Sequence, residues 1–516
     1  PFLKEMLESF LRLGGRRRSE QNATGIDFDE LGINEMVQLL RDANMEAVVR
    51  DFDDKNPQED PVIHFYEDFI AQYAPQRRRQ RGVFYTPRPV VSYIVRSVDE
   101  LLHTEFGLED GLADTTTWGE MAERHADLKI PDGVSPDQAF VQILDPATGT
   151  ATFLVEVIEL IHRTMVAKWQ AQGHREKQIV ELWNEYVPKH LLPRLHGYEL
   201  MMAPYAIAHL KIGLKLHETG YRFESDERAR VYLTNALEPA TDRQLTLDFL
   251  PALAHEAEAV NKIKTNHRFT VIVGNPPYAN YSANLAPEAR SIVDRYRDFR
   301  GAPIRERNQL QFERNIQDDF VKFIAIAQDL VGASTAGVVG LITNGTMLAS
   351  TSLRGMRESL AENFDSLFEL NLHGGGNEII AEARDDENVF DIVQTVAVHL
   401  YVRARRGGAS KIKYSDLLGR RSLKYAALTS QSVTLTHWRE IQPDIENHCF
   451  VPQDEHAEVA GRRLDFAFIK FGAGIKTNRD AVAIGFDESS LLDAIRGFDE
   501  KLACGESPAS FIKPIL

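Results

Sequence analysis

The sequence predicts an α/β fold with helices on both faces of a mostly parallel sheet, preceded by a small helical domain. Strand-like segments at 139–144, 195–199 and 231–234 alternate with helical patterns at 152–165 and 205–210. This alternation is typical of consecutive βαβ units, whose strands run parallel.

The first 80 residues show helical spacing and no sheet pattern. Apolar residues recur on one side of possible helices at 2–11, 34–40 and 64–70, and no group of residues there suggests catalysis. We expect residues 1–80 to form a helical lead-in or coupler segment.

Composition sets limits on the class of protein. A length of 516 residues suggests about three domains if each holds ~150 residues. No apolar run reaches the ~18 residues of a membrane helix, and the two cysteines, Cys449 and Cys504, lie far apart. We expect a protein of the reducing cytoplasm, without membrane contact, disulfides or a structural metal.

The net charge of −17 opposes nucleic-acid binding by the surface as a whole. A local basic face would be sufficient, however. Arginine-rich runs at 16–18 and 77–81 could contribute to such a face or could simply be solvated, so net charge does not decide the question.

The segment Val271–Tyr278 carries the strongest chemical signal. Three β-branched residues predict a buried strand, Gly274 allows a sharp turn, and two prolines then stiffen the chain. A rigid turn whose tyrosine covers the core is one interpretation. Asn275 directly before the prolines favours a ligand site, because such sites lie at the carboxyl ends of parallel strands.

This turn suits methylation of an exocyclic amine. The nitrogen lone pair of adenine N6 is delocalised into the ring, so the amine is a poor nucleophile. The Asn275 side-chain oxygen and the Pro276 carbonyl could accept hydrogen bonds from the two N–H groups of this amine. This would draw the nitrogen out of conjugation and make its lone pair available. Pro277 would hold the turn still, and Tyr278 would offer an aromatic face to an extruded base.

Two further segments lead into helical patterns. Tyr85-Thr86-Pro87 precedes a helical pattern, with Thr86 as the expected N-cap. The segment 139–144 leads into Asp-Pro-Ala-Thr-Gly-Thr-Ala at 145–151 and then a helix, an order that lets the backbone approach a ligand. A generic strand–helix turn is the alternative.

Two polar residues follow the next strands. Glu199 ends a short strand, where an acid can accept hydrogen bonds from ribose hydroxyls, although it could be a surface acid. Its distance from Asp145 along the chain predicts an inserted helix. Asn235 follows the third strand and is either a ligand contact or an ordinary turn residue.

Together these motifs resemble those of S-adenosylmethionine-dependent amino-methyltransferases, which act on adenine N6, cytosine N4, guanine N2 or a protein glutamine amide. Their order resembles the gamma class of adenine-N6 DNA methyltransferases and covers about residues 82–405. The resemblance implies a Rossmann-like methyltransferase sheet, S-adenosylmethionine as cofactor, and transfer of its methyl group to an adenine flipped out of double-stranded DNA.

The resemblance also assigns roles to individual residues. It places the cofactor against Tyr85, Thr86, Pro87, Asp145, Ala147, Gly149, Thr150, Phe153, Glu199, Leu200, Asn235 and Leu237. It makes Asn275, Pro276, Pro277 and Tyr278 catalytic, and adds Phe390 as a second wall for the base, although a core phenylalanine is equally consistent. The sequence departs from the family at Ala151, where the last loop glycine is expected, and at Asn235, which is more often Asp.

The wider sequence resembles the methyltransferase part of single-chain Type ISP restriction–modification enzymes, in which a nuclease and a helicase lie upstream. We therefore predict a coupler segment at 1–80, a catalytic domain at 81–405 and the start of a target-recognition region at 406–516. A phosphate-loop-like stretch at 471–477 is rejected as an NTPase site, because Ile475 interrupts it.

Two rival functions remain open. The protein could methylate another amine or amide, such as protein glutamine or guanine N2. It could also be a non-catalytic module that binds DNA or couples domains.

Overall fold

A nine-stranded sheet organises the molecule. The computed structural model describes residues 86–224, 227–240, 251–278, 282, 284, 286–376, 385–404 and 408–452. The predicted coupler at 1–80, Tyr85, and the stretch at 471–477 lie outside the described residues. Among the helices described, none is long and apolar enough to cross a membrane.

Eleven strands are present in the described ranges. They are β1 (Ile143–Asp145), β2 (Leu195–Glu199), β3 (Arg230–Leu233), β4 (Val271–Gly274), β5 (Asp298–Phe299), β6 (Ala302–Pro303), β7 (Gly337–Asn344), β8 (Ser366–Asn371), β9 (Val396–Arg403), β10 (Lys411–Asp416) and β11 (Arg439–Ile441). Strands β5 and β6 form a separate hairpin, and the other nine form the sheet.

Eleven α-helices are described with them. They are α1 (Arg88–Phe106), α2 (Trp118–Arg124), α3 (Thr152–Ala171), α4 (Glu176–Tyr186), α5 (Met202–Glu218), α6 (Pro251–Asn266), α7 (Pro287–Ser291), α8 (Gln309–Ile316), α9 (Asp319–Ala333), α10 (Arg354–Asn363) and α11 (Arg421–Ser430). Helix α4 is the insertion predicted between the first two strands.

The strand order is β11-β10-β8-β9-β7-β4-β1-β2-β3. From β7 to β3 all neighbours pair in parallel, as the alternation of strands and helices predicts. The chain moves outward from β1 through β2 to β3, and then returns to place β4 on the other side of β1. The carboxyl ends of β1 and β4 therefore form a topological switch point, where open α/β sheets bind ligands.

Strand β9 closes the fold by pairing antiparallel with β7 and with β8. The sheet continues past residue 405, because β10 pairs parallel with β8 and β11 pairs antiparallel with β10. The domain boundaries themselves stay predictions.

Helices cover both faces of the central strands. Every residue of β7 is buried, which requires cover on either side. Gly340 of β7 lies directly under α1, where an added Cβ would meet Ile94 and Val98 at 2.9 and 2.7 Å. Helix α9 also packs on β7 and β4. The predicted α/β fold with helices on both faces is confirmed.

The first strand is shorter than the predicted segment 139–144. The hydroxyl of Thr270 donates to the Phe140 carbonyl at 2.6 Å and accepts the Gln142 N–H at 2.9 Å. The Phe140 N–H donates to the carbonyl of Thr116. Because these backbone groups bond to a side chain and a loop, the regular ladder begins only at Ile143.

Candidate active site

The carboxyl ends of β1 and β4 touch at the switch point. An added Cβ at Gly274 would lie 2.8 Å from Oδ1 of Asp145, so only glycine lets the two ends approach this closely. Asp145 is 1% exposed, and its Oδ1 accepts the Ala147 N–H at 3.1 Å. The predicted cofactor loop and the Asn-Pro-Pro-Tyr turn are therefore direct neighbours.

Hydrogen bonds to neighbouring strands shape the loop after β1. The hydroxyl of Thr148 donates to the Asp145 carbonyl at 2.9 Å, and the Thr148 N–H donates to the Tyr198 carbonyl at 2.9 Å. An added Cβ at Gly197 would lie 2.4 Å from the Thr148 hydroxyl oxygen. The loop is thus fixed against β2, leaving Ala147, Gly149 and Thr150 half-buried at its surface.

The loop ends in two residues with left-handed backbone. Gly149 has φ +55° and Ala151, the N-cap of α3, has φ +67° and ψ +30°. Such a conformation costs a residue with a Cβ about 1–2 kcal/mol and is the usual place for glycine. The departure from the family pattern thus falls at a position whose backbone favours glycine. The α3 residue Phe153 is buried in the core.

Glu199 holds the same loop from β2. Its Oε2 accepts the Gly149 N–H at 2.9 Å, and its Oε1 accepts the Met201 N–H at 2.6 Å. A carboxylate has about four acceptor positions, so it can accept from several donors at once. Leu200, the next residue, is 53% exposed although it is apolar. The alternative interpretation of Glu199 as a surface acid is wrong, because the residue is only 7% exposed.

Asn235 makes the turn that follows β3. Its Oδ1 accepts the Leu237 N–H at 3.1 Å, which is an ordinary Asn turn. Its Nδ2 also donates to Oδ1 of Asn284 at 3.0 Å, in the chain after the Asn-Pro-Pro-Tyr motif. Leu237 is buried with Ala289 and Phe323 in a small apolar cluster that Ala147 also contacts. Asn235, Leu237 and Ala147, all predicted to contact the cofactor, are therefore close together.

Asn275 contacts the motif that precedes α1. Its Nδ2 donates to Oγ1 of Thr86 at 2.9 Å. The prediction that Thr86 is the N-cap is wrong: Pro87 occupies that position, and its carbonyl accepts the Val90 and Val91 N–H groups. Thr86 stands one residue further out, so its hydroxyl is available to Asn275. Pro276 is buried and Pro277 is half-buried.

Both aromatic residues predicted to contact a base are buried. Tyr278 is 2% exposed, and burial raises the pKa of its phenol well above the usual value. Phe390 is 4% exposed. Their stacking roles stay predictions, and both side chains contribute to the main core.

Helix α11 fixes the loop that carries Phe390. Arg421 donates to the Asn388 and Phe390 carbonyls at 2.6 and 2.9 Å, and the Tyr425 hydroxyl donates to the Val389 carbonyl at 2.8 Å. Sequence reasoning missed these residues, since nothing in the stretch after 405 indicates that a helix returns to the loop of Phe390.

A second missed group is a polar network below the loop that follows Tyr278. Lys322, whose side chain is fully buried, donates to the Ser282 hydroxyl at 2.8 Å and to the Asn284 carbonyl at 3.0 Å. Asp319 accepts from Ser282 and from Asn284 at 2.5 and 3.0 Å. Asp319 and Lys322 are one turn apart on α9, a spacing that could have suggested a joint role.

Burial dominates the electrostatics at the switch point. Removal from water raises the pKa of the Asp145 carboxyl from 3.8 to about 8, and the negative charge of Glu199 adds to the rise. The Ala147 N–H opposes it by stabilising the ionised form. Burial thus favours the protonated form of Asp145 over the ionised form.

Family comparisons bear directly on these motifs. Residues 195–372 match the model of the Eco57I restriction-modification methylase family, a range that includes Glu199, Asn235 and the Asn-Pro-Pro-Tyr motif. Residues 57–107 match the N-6 DNA Methylase family, a range that includes Thr86 and α1. The predicted resemblance to N6 DNA methylases is confirmed. No curated protein matches the sequence.

Solved structures share the fold. The chain is similar to DrdV in a DNA complex (24% identity, TM-score 0.58) and to LlaBIII, an ATP-dependent Type ISP restriction-modification enzyme bound to DNA (22%, 0.60). It is also similar to a nuclease-deletion mutant of the Type ISP enzyme LlaGI with a DNA substrate mimic (24%, 0.60). Each match covers 84% of this chain but only 39%, 27% and 32% of those chains, respectively.

Proposed function

We propose that this chain is the methyltransferase part of a restriction–modification enzyme and that it transfers a methyl group from S-adenosylmethionine to adenine N6 in double-stranded DNA. The family matches support a DNA methylase of the N6 class. The Type ISP neighbours, one ATP-dependent and one with its nuclease deleted, support a place in a longer restriction–modification chain. Nuclease and helicase domains in that chain, and its cytoplasmic location, are part of the proposal.

The hydrogen bond between Asn275 and Thr86 is the main observation that supports the proposal. It joins the Asn-Pro-Pro-Tyr turn to the Tyr-Thr-Pro motif, and Gly274 brings the same turn against Asp145. Three motifs that are widely separated in the chain therefore meet at one switch point. A structural turn would not require this convergence.

The residues fit S-adenosylmethionine. Glu199 has acceptor capacity for ribose hydroxyls beside the exposed side chain of Leu200, which offers an apolar surface to a flat ring. An added Cβ at Gly149 would have no closer neighbour than the Ala147 carbonyl oxygen at 4.0 Å, so the loop presents open backbone at this point. Bound there, the cofactor would supply an electrophilic methyl group to the amine nitrogen.

Asn275 and Pro276 would prepare the amine. The bond from Nδ2 to Thr86 fixes the orientation of the amide plane and directs Oδ1 away from Thr86. In our mechanism Oδ1 and the Pro276 carbonyl accept hydrogen bonds from the two N–H groups of the amine. The lone pair of the amine nitrogen then points toward the methyl carbon. The proton released after transfer passes to water. Positioning and fixed dipoles supply the rate enhancement.

Adenine in DNA is favoured over the other substrates by the second family match, which covers the Tyr-Thr-Pro region. The Asn-Pro-Pro-Tyr turn alone would serve guanine N2 or protein glutamine equally well. Tritium transfer from S-adenosylmethionine to plasmid DNA or to total protein separates these substrates. Mapping of the modified base on the plasmid then identifies the atom that receives the methyl group.

The mechanistic test uses Asn275→Ala in the full chain. We expect a ~10²–10³-fold loss of single-turnover methylation with cofactor binding nearly unchanged, because the contact acts mainly in the transition state. Tyr278→Ala should weaken base engagement by ~1–3 kcal/mol, whereas Tyr278→Phe should be tolerated if the ring face alone matters. Wild-type rates for Asn275→Ala would refute the mechanism.

A further inference from the structure

A short hairpin follows the Asn-Pro-Pro-Tyr motif in the chain. Strands β5 and β6 pair Asp298 with Pro303 and Phe299 with Ala302, so only Arg300 and Gly301 form the turn. Both have positive φ, +53° and +74°, as in the tight type I′ turn that matches the twist of a hairpin. The hairpin therefore has one defined shape, with Arg300 exposed at its tip.

Helix α10 anchors the base of this hairpin. An added Cβ at Gly355 would lie 2.2 Å from the Asp298 carbonyl oxygen, so the hairpin backbone rests directly on the helix. Glu358 accepts the Arg300 N–H at 2.8 Å, and Arg354 forms an ion pair with Glu306 just beyond β6. These contacts fix the hairpin to the body of the fold.

This anchor places the hairpin at the catalytic edge of the sheet. Strand β7 is parallel to β4, so its last residue, Asn344, lies on the same edge as Asn275. Arg357 of α10 donates to the carbonyls of Met347 and Ser350, in the turns that directly follow β7, at 2.7 and 2.8 Å. The first turns of α10, and the hairpin on them, are therefore held close to that edge.

The hairpin tip and the residues that directly follow β6 present exposed arginines. Arg300, Arg305 and Arg307 are exposed, and among the described residues none of the three forms a side-chain ion pair. The neighbouring acids Asp294 and Glu313 are paired with Arg297, and Glu306 is paired with Arg354. Asp298 is the one exposed acid of the hairpin. Glu358, which accepts the Arg300 N–H, is a further acid beside the hairpin tip. In a chain of net charge −17, Arg300 at the tip and Arg305 and Arg307 just after β6 form a local basic surface.

We infer that Arg300, Arg305 and Arg307 contact the phosphate backbone of the DNA duplex next to the base held at Asn275. The inference rests on the proposed function, since it needs DNA at this edge. Arginine suits the role because its planar guanidinium can bind two phosphate oxygens at once. Phosphate contacts position the duplex without reading its sequence, so this surface orients DNA for whichever site is recognised.

Salt-dependent DNA binding by the full chain tests the inference. The probe is a fluorescein-labelled duplex of mixed sequence, and the variant is Arg300→Gln, Arg305→Gln and Arg307→Gln combined. Removing one phosphate-binding arginine should lower the slope of log affinity against log salt by about 1. We expect the triple variant to lose roughly 2–3 in slope and about tenfold or more in affinity at low salt.

The control carries Arg124→Gln and Arg175→Gln. Both side chains are exposed and lie on α2 and at the N-cap of α4, outside the hairpin. The control should keep the slope and affinity of the wild type. Equal losses in the control and the triple variant, or no loss in either, would overturn the inference.

A separate readout keeps the two proposals apart. Calorimetry with S-adenosylmethionine should give the same affinity for the triple variant and the wild type, since the hairpin is outside the cofactor loop. If the wild-type chain binds duplex DNA through the hairpin but methylates neither plasmid nor protein, the proposed methylation fails and the inferred DNA contact stands. If it methylates plasmid and the triple variant binds normally, the hairpin inference alone fails.

Discussion

The side-chain amide of Asn275 donates a hydrogen bond to the hydroxyl of Thr86 at 2.9 Å, although 189 positions separate the two residues. Thr86 is buried and precedes α1, which packs on β7 and β9. The orientation of the proposed catalytic amide is therefore set by a different part of the chain from the turn that carries it.

The first prediction concerns this bond. Thr86→Ala should slow single-turnover methylation of plasmid DNA by about 5- to 10-fold, the equivalent of one hydrogen bond of about 1 kcal/mol. Thr86→Ser keeps the hydroxyl and should retain most of the rate. Equal rates for the alanine and serine variants would mean that the hydroxyl has no part in orienting Asn275.

The second prediction concerns Glu199. Glu199→Ala should weaken S-adenosylmethionine binding by ~1.5–3 kcal/mol, as expected for a hydrogen bond to a charged group. Glu199→Gln should fall between the alanine variant and the wild type, because its amide oxygen can accept only part of the present set of donors. Calorimetry measures both affinities, and an unchanged affinity for Glu199→Ala would remove this residue from the cofactor site.

The third prediction follows from the raised pKa of Asp145. Between pH 3.8 and about 8 the folded protein binds a proton at Asp145 that the unfolded chain has released. The free energy of unfolding should therefore fall as the pH rises through this window. Asp145→Asn lacks the ionisable group, so its stability should fall less.

Urea midpoints of Asp145→Asn and the wild type, recorded across this range without cofactor, measure the difference. The gap between the two proteins should widen toward pH 8 in favour of the variant. Parallel curves would show that burial does not perturb Asp145 in the folded protein.

The fourth prediction tests the left-handed backbone of Ala151. Ala151→Gly should change stability by no more than about 1 kcal/mol, because relief of the backbone strain is offset by the more flexible unfolded chain and the loss of a buried methyl group. Ala151→Val should cost about 2 kcal/mol or more, since a β-branched residue is both strained and too large there. Urea midpoints rank the three proteins, and a valine variant as stable as the wild type would contradict the strain argument.

Local patterns were sufficient to predict the parallel part of the sheet. Short β-branched segments followed by turn residues specify strands such as β4, and a helix beginning at Thr152 agrees with α3. The boundary of β1 could not be predicted in this way. Its start depends on the Thr270 hydroxyl, which reaches Gln142 across 128 positions.

The residues of the site were predictable where a motif carries them, and the contacts between motifs were not. Asn275 was identified from its place before two prolines, but no local pattern says that its amide meets Thr86. The capping prediction for Thr86 failed for a local reason: Pro87 can serve as the N-cap with its carbonyl alone. The polar network of Asp319 and Lys322 also depends on a loop from elsewhere in the chain.

The contacts of α11 have a consequence for the modularity of this protein. Arg96 of α1 donates to the carbonyls of Leu428 and Gln431 at 2.6 and 2.8 Å, while Arg421 holds the loop of Phe390 from the other end of α11. As far along the chain as Phe450, the backbone N–H donates a hydrogen bond to the Leu348 carbonyl at 2.8 Å, in the turn after β7. A chimaera that exchanges the region downstream of the Asn-Pro-Pro-Tyr motif should therefore be joined after residue 450. A junction near 405 would remove β10, β11 and the helix that fixes the loop of Phe390.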